Sequence, residues 1–145
     1  MTDTPTAGGR IKAATTPAPY MQSAACTVSL PTSSSTPANL VGAAITITTA
    51  QPNAVVQVVG VFDMTVGSPG GFGIGTLVVD GVTQPAQAIK GLDTAGDRVT
   101  AAQAWTVPLA TAGSHTFQLQ GSGSSPGPVT FGSTHTTINM TVFDW

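Results

Sequence analysis

From Ala24 onward the chain changes character at nearly every residue, apolar then polar, and turn-forming residues divide these runs into short pieces. Ile45-Thr46-Ile47-Thr48, Thr116-Phe117-Gln118-Leu119-Gln120 and Thr137-Ile138-Asn139-Met140-Thr141-Val142 are the clearest cases. Successive side chains of a strand point to opposite faces, so a period of two makes one face apolar and the other wet. The polar members are mostly Thr, Gln and Asn, which suit a half-solvated sheet. The pattern predicts strands near 24–30, 40–49, 54–66, 72–80, 82–89, 98–108, 114–121, 128–132 and 135–143. Val55-Val56-Gln57-Val58-Val59-Gly60-Val61-Phe62 is apolar on both faces and reads as a central strand, or as one covered by a neighbouring subunit.

The breaks carry their own chemistry. Gln51-Pro52-Asn53, Ser68-Pro69-Gly70-Gly71, Ala112-Gly113 and the stretch Gly121–Pro128 are rich in Gly, Pro, Ser and Asn, which initiate turns. Asp80-Gly81 between Val79 and Val82 is a two-residue hairpin signal. Thr100–Trp105 is rich in Ala, but Val99, Thr106 and Val107 beside it favour a strand. No stretch holds a helical period. The fold class that follows is all-β, an antiparallel jelly-roll-like β-sandwich over residues 23–145, preceded by an extended N-terminal arm over residues 1–22. The length of 145 residues is that of one domain, long enough to bury a core without disulfides or a metal.

Charge narrows the function. Only 7% of residues are charged and none is Glu, against about 25% charged residues in an ordinary domain. A surface this poor in charge repels its own copies weakly, which fits a protein packed beside others. The net charge of −2, with four scattered bases, opposes nucleic-acid binding, which takes a cluster of Lys and Arg. No apolar run approaches the roughly 20 residues of a membrane span. The N-terminus lacks the pattern of a secretory signal, so synthesis and use in the cytoplasm, or export inside a particle, are expected.

The residue types offer little for catalysis, and no cofactor is expected. Cys26 lies in Ala24-Ala25-Cys26-Thr27-Val28, where a buried small hydrophobe is the natural reading. Asp93 and Asp97, four apart in a Gly-containing loop, are weak as calcium ligands, and a solvated loop with an Asp–Arg contact explains them better. His115 and His135 each open a strand and form no close ligand pair, so surface or interface histidines are expected. The Ser-rich Gly121–Pro128 segment reads as a flexible loop rather than part of a Ser-His-Asp site. Gly71-Phe72-Gly73-Ile74-Gly75 lacks the spacing of a phosphate cradle and reads as a strand that another backbone approaches closely. Asn139-Met140-Thr141 matches a glycosylation acceptor, which means little without a secretory signal. Catalytic and metal residues are therefore expected to be none.

Assembly contacts are the better candidates. In the arm they are Arg10, Ile11, Lys12, Pro17, Pro19 and Tyr20, in a Thr/Ala/Pro/Gly context that builds no core of its own. In the domain they are Val56, Val58, Phe62, Phe72 and Trp145. Trp145 is bulky and apolar, and is expected to dock into its own core or a neighbour's.

The order of these elements resembles a family of small jelly-roll structural proteins on tailed-bacteriophage virions. The features are Gly8-Gly9-Arg10-Ile11-Lys12-Ala13 before a Pro-rich step, Ser33–Gly42 leading into the strand Ala44–Thr49, the apolar strand Val55–Phe62, and Thr76–Gly81. Ala112-Gly113-Ser114-His115-Thr116 running into a strand, and a final strand ending at Trp145, complete them. The same grammar occurs in tumour-necrosis-factor-like folds, which are commonly trimers. The resemblance implies a virion part with no enzymatic activity, located on the capsid exterior or tail. A capsid decoration protein is favoured by the small size and single domain, binding the shell as a homotrimer through its arm. Its partners would be its own copies and the major capsid protein or tail proteins. The alternative is a minor tail or tail-fibre module that binds a host surface or glycan through the loops Ser68–Gly75 and Gly121–Pro128.

Overall fold

The computed structural model describes residues 18–124 and 127–145. Ten strands make up the described chain. They are β1 (Tyr20–Ala25), β2 (Leu30–Thr32), β3 (Ala38–Thr49), β4 (Ala54–Val66), β5 (Gly71–Val79), β6 (Val82–Leu92), β7 (Arg98–Leu109), β8 (Gly113–Ser124), β9 (Val129–Phe131) and β10 (Thr137–Phe143). All pairings are antiparallel. One sheet runs β1-β10-β4-β9-β2, with β7 also paired to β4, and the other runs β3-β8-β5-β6. The two face each other as the all-β, jelly-roll-type sandwich that the alternation requires.

β4 is central, as its doubly apolar sequence requires. It pairs with β7 along Ala54–Thr65, and its other edge is shared by β10 and β9. Its alternate residues Val56, Val58, Phe62, Met64 and Val66 are wholly buried. Opposite them, β5 and β8 present Gly75, Leu77, Phe117, Leu119 and Gly121. The glycines are there to admit aromatic rings. A Cβ at Gly75 would lie 2.5 Å from Phe62, and one at Gly121 would lie 2.6 Å from Phe131, closer than two carbons pack. The Phe62 and Phe131 rings then meet edge to face, 6.3 Å between centroids, an arrangement that aromatic quadrupoles favour.

Several expectations change here. The strand expected at 24–30 is two strands. β1 begins at Tyr20 and pairs with β10, while β2 pairs with β9. The domain boundary expected at residue 22 thus falls inside β1. Gly121–Ser124 are not loop but the last four residues of β8, in register with β5 at Gly75 through Phe72. The approach expected on Gly73 and Gly75 comes from the side chains of Met64 and Phe62, not from backbone. At Asp80-Gly81 both φ angles are positive, 49° and 82°, as the favoured two-residue hairpin turn demands.

Candidate assembly surfaces

The sheets turn two nearly uncharged faces outward. On the β1-β10-β4-β7 face, register partners lie side by side in rows. Ser23, Asn139, Val59 and Ala104 form one row, and Met21, Thr141, Gln57 and Thr106 the next. Met21 is 80% exposed. Among the described residues, the charges on this face are Asp63 and Arg98, at one end. On the β3-β8-β5-β6 face, Ile89, Ile74 and Ser122 form a row beside Phe72, and Gln87, Thr76, Gln120 and Asn39 form another. Phe72 and Ile89 are more than half exposed. Thr76, in the middle of that face, is buried, and its hydroxyl has no hydrogen-bond partner among the described residues.

Two ion pairs do structural work. Asp63 is buried on β4, and its carboxylate accepts from Arg98 Nε and Nη2, both at 2.9 Å. That hydrogen bond, with the Asp63 charge behind it, raises the Arg98 pKa. The Asp–Arg contact expected in the 91–98 loop is therefore made by Asp63 instead. Asp97 Oδ2 accepts from the Thr94 N–H within the loop.

The second pair closes one end of the sandwich. His115 is buried, correcting its expected place at the surface, because in β8 it is in phase with Phe117 and Leu119. Its Nδ1 lies 2.7 Å from Asp80 Oδ2 and its Nε2 lies 3.0 Å from the Thr111 carbonyl. Both partners are acceptors, so the ring that satisfies both carries two N–H groups and a positive charge. The Asp80 bond is the main cause of a raised His115 pKa. Burial opposes it, and the Thr111 carbonyl and the Asp80 charge add to it. At Asp80, burial pushes the carboxyl up. Bonds from His115 and the Thr116 N–H, with the His115 charge, outweigh it and hold the carboxyl below its usual range. The clasp thereby ties the β5–β6 turn to the β7–β8 loop.

Beside the clasp, β6 and β7 border an open cavity of about 420 Å3, with Val79, Val82, Val107, Pro108 and Leu109 as its apolar wall and Asp80 and His115 at one side. No backbone hydrogen bond joins β6 to β7. The indole N–H of Trp105 donates to the Ala86 carbonyl across the gap.

The residues expected to make partner contacts divide sharply. Val56, Val58 and Phe62 are wholly buried in the chain's own core and have no surface to offer a partner, a correction that follows from β4 being covered by the opposite sheet. Phe72 is exposed on an outer face, and Trp145, 60% exposed, stacks edge-on against Phe143 at 5.2 Å instead of entering the core. Arg10, Ile11, Lys12 and Pro17 lie outside the described residues. Pro19 is exposed just before β1, and Tyr20 opens β1 opposite Val142. Cys26 is buried, as its setting predicted, with Sγ 3.0 Å from the Val28 carbonyl. His135 and Asn139 are exposed. Among the described residues no cluster of three His, Cys, Asp or Glu could hold a metal.

No family model matches the chain, and no curated protein does. Solved structures match its fold. The globular domain of zebrafish complement 1qA protein is 8% identical, with 86% of this chain and 96% of that one covered and a TM-score of 0.50. A protein in the structure of infectious bursal disease virus, Gx strain, is 14% identical, with 88% of this chain and 33% of that one covered and a TM-score of 0.47. The chain thus spans about a third of the viral protein's length. The CBM36-1 domain of a multidomain xylanase from the Trinervitermes trinervoides hindgut metagenome is 10% identical, with 83% and 96% covered and a TM-score of 0.39. The likeness to the complement domain is one of fold, a β-sandwich of jelly-roll type, and carries no activity with it.

Proposed function

We propose that this chain is a non-enzymatic structural protein of a tailed-phage virion, a capsid decoration protein that assembles as a homotrimer and holds the shell through its N-terminal arm. The observation that carries this reading is the pair of nearly uncharged outer faces, with the Asp63–Arg98 pair at one end. A solitary domain keeps itself soluble with mixed charge, whereas these faces offer Thr, Gln, Ala and exposed Met21, Val59, Phe72 and Ile89. Faces without ionised groups cost less to desolvate than charged ones when a neighbour covers them and pairs their polar groups. The arm carries two of the four bases of the chain, as befits a segment that grips a partner. The glycan-binding alternative relied on two long loops. Gly71–Gly75 and Gly121–Ser124 lie in β5 and β8, so most of the proposed contact surface is paired strand.

The test is attachment to purified particles. Labelled full-length protein is expected to bind shells stripped of their own copies, and the chain lacking residues 1–17 is expected not to bind while keeping its β-sheet circular dichroism. Normal attachment of the truncated chain would remove the arm from the mechanism. Binding to a glycan array by the isolated protein, with no binding to shells, would replace the reading by the tail-fibre one.

A further inference from the structure

Resting on the assembly reading above, we infer that the cavity between β6 and β7 is the receptor for the Arg10-Ile11-Lys12 segment of a neighbouring copy. The described chain begins at the β1 edge of one sheet, and the cavity borders the β7 edge opposite. Tyr20, where the described strands begin, pairs with Val142, Val142 with Val56, and Val56 with Val107, which lines the cavity. That single row crosses the sheet from the β1 edge to the β7 edge, about 14 Å for three strand spacings. A segment leaving the β1 edge therefore meets the β7 edge of a copy set beside it. Contact between unlike edges is head-to-tail, and head-to-tail contacts close rings such as trimers when the rotation between copies closes.

The cavity suits an extended peptide of this composition. Its wall of Val79, Val82, Val107, Pro108 and Leu109 takes an aliphatic side chain such as Ile11. The bordering strands β6 and β7 are both edge strands and make no backbone bonds to each other, so free backbone groups flank the opening. At its rim the Asp80 side chain is 45% exposed, and it accepts one bond from the Thr116 N–H and one from His115. Lone pairs remain for Arg10 or Lys12, which flank Ile11 and point away from it in an extended chain. Of the other bases, Arg98 is held by Asp63. Asp80 and His115 are the titratable groups on the cavity wall. Residues 12–17 span about 20 Å when extended, enough to bring Ile11 clear of its own sheet edge.

The experiment uses the chain lacking residues 1–17 and a synthetic peptide of residues 6–17, followed by amide chemical shifts. Peptide addition is expected to move Val82, Leu109 and Thr111. Peptide carrying Ile11→Asp, or receptor carrying Val82→Glu, is expected to bind at least tenfold more weakly. Val82 is 64% exposed, so the substitution leaves the fold intact. Shifts confined to another surface, or no shifts at millimolar peptide, would overturn the inference. Attachment to stripped shells is a separate readout. A peptide that enters the cavity of a protein unable to attach to shells leaves the inference standing and sinks the proposed function.

Discussion

The same ten strands present two unlike surfaces. Inward they are specific, with glycines placed under phenylalanine rings and no room for another carbon. Outward they are generic, with Thr, Gln, Ser and Ala rows that ask for no particular neighbour within the chain. An inner face is judged by what fits, and an outer face by what it leaves unsaid to solvent. The contrast teaches that fold and assembly are encoded on alternate residues of the same strands. A substitution that shifts one should leave the other nearly untouched.

The largest expected effect is on the inner face. Phe62→Ala empties the space between Gly75 and Gly60 and should cost about 3–5 kcal/mol, a large part of a domain's total of about 5–15 kcal/mol. Urea unfolding measures it, and a loss under about 1 kcal/mol would show that the ring is not packed as described. Gly75→Ala adds one carbon 2.5 Å from the same ring. It should cost about 1–3 kcal/mol by overpacking, and the double change to Phe62→Leu with Gly75→Ala should recover part of the loss, which a double-mutant cycle would register.

Between inner and outer lies the Asp80–His115 clasp. Asp80→Asn removes the charge partner of His115, and because Asp80 is half exposed the loss is screened to about 1 kcal/mol. The sign with pH follows from the two shifts. His115 is raised above 6.5, so its contribution is full below that value and disappears as pH rises through the folded pKa. Asp80 is lowered below 3.8, so its contribution is full above that value and disappears as pH falls through the folded pKa. The stability difference between wild type and Asp80→Asn should therefore be greatest between pH 3.8 and 6.5 and shrink in alkali. A difference that grows from pH 6 to 9 would mean that the ring is bonded as a neutral tautomer.

The smallest effect on folding belongs to the outer face. Ala104→Lys, in the row of Val59 and Asn139, should change the unfolding free energy by no more than about 0.5 kcal/mol. On an assembly surface, the same change should weaken association of copies or attachment to shells. Unchanged assembly after Lys substitution in both outer faces would assign those faces to solvent.

Much of this architecture was legible from alternation alone. β4, the Asp80-Gly81 hairpin and the burial of Cys26 followed from local pattern. What was not legible depended on partners distant in sequence. Tyr20–Gln22 belong to a strand because β10 lies beside them, and nothing in Pro17-Ala18-Pro19 announces that. Gly121–Ser124 look like a loop by composition, yet Gly121 leaves the space that the Phe131 ring requires and Gly123 the space that the Thr32 carbonyl and Val129 require. Val56, Val58 and Phe62 looked available to a partner because an apolar strand covered by its own chain and one covered by a neighbour's read alike. His115 was legible in principle, since it keeps phase with Phe117 and Leu119. Asp63 was not, because its Arg98 partner comes from the adjacent strand β7.

The mass of the full-length protein in solution, by light scattering across micromolar concentrations at neutral pH, tests most directly whether the outer surfaces exist to be covered. A species of three times 14.4 kDa, reduced to a single chain by deletion of residues 1–17, is the expected result. A monomer of 14.4 kDa at every concentration, with or without the arm, would contradict it.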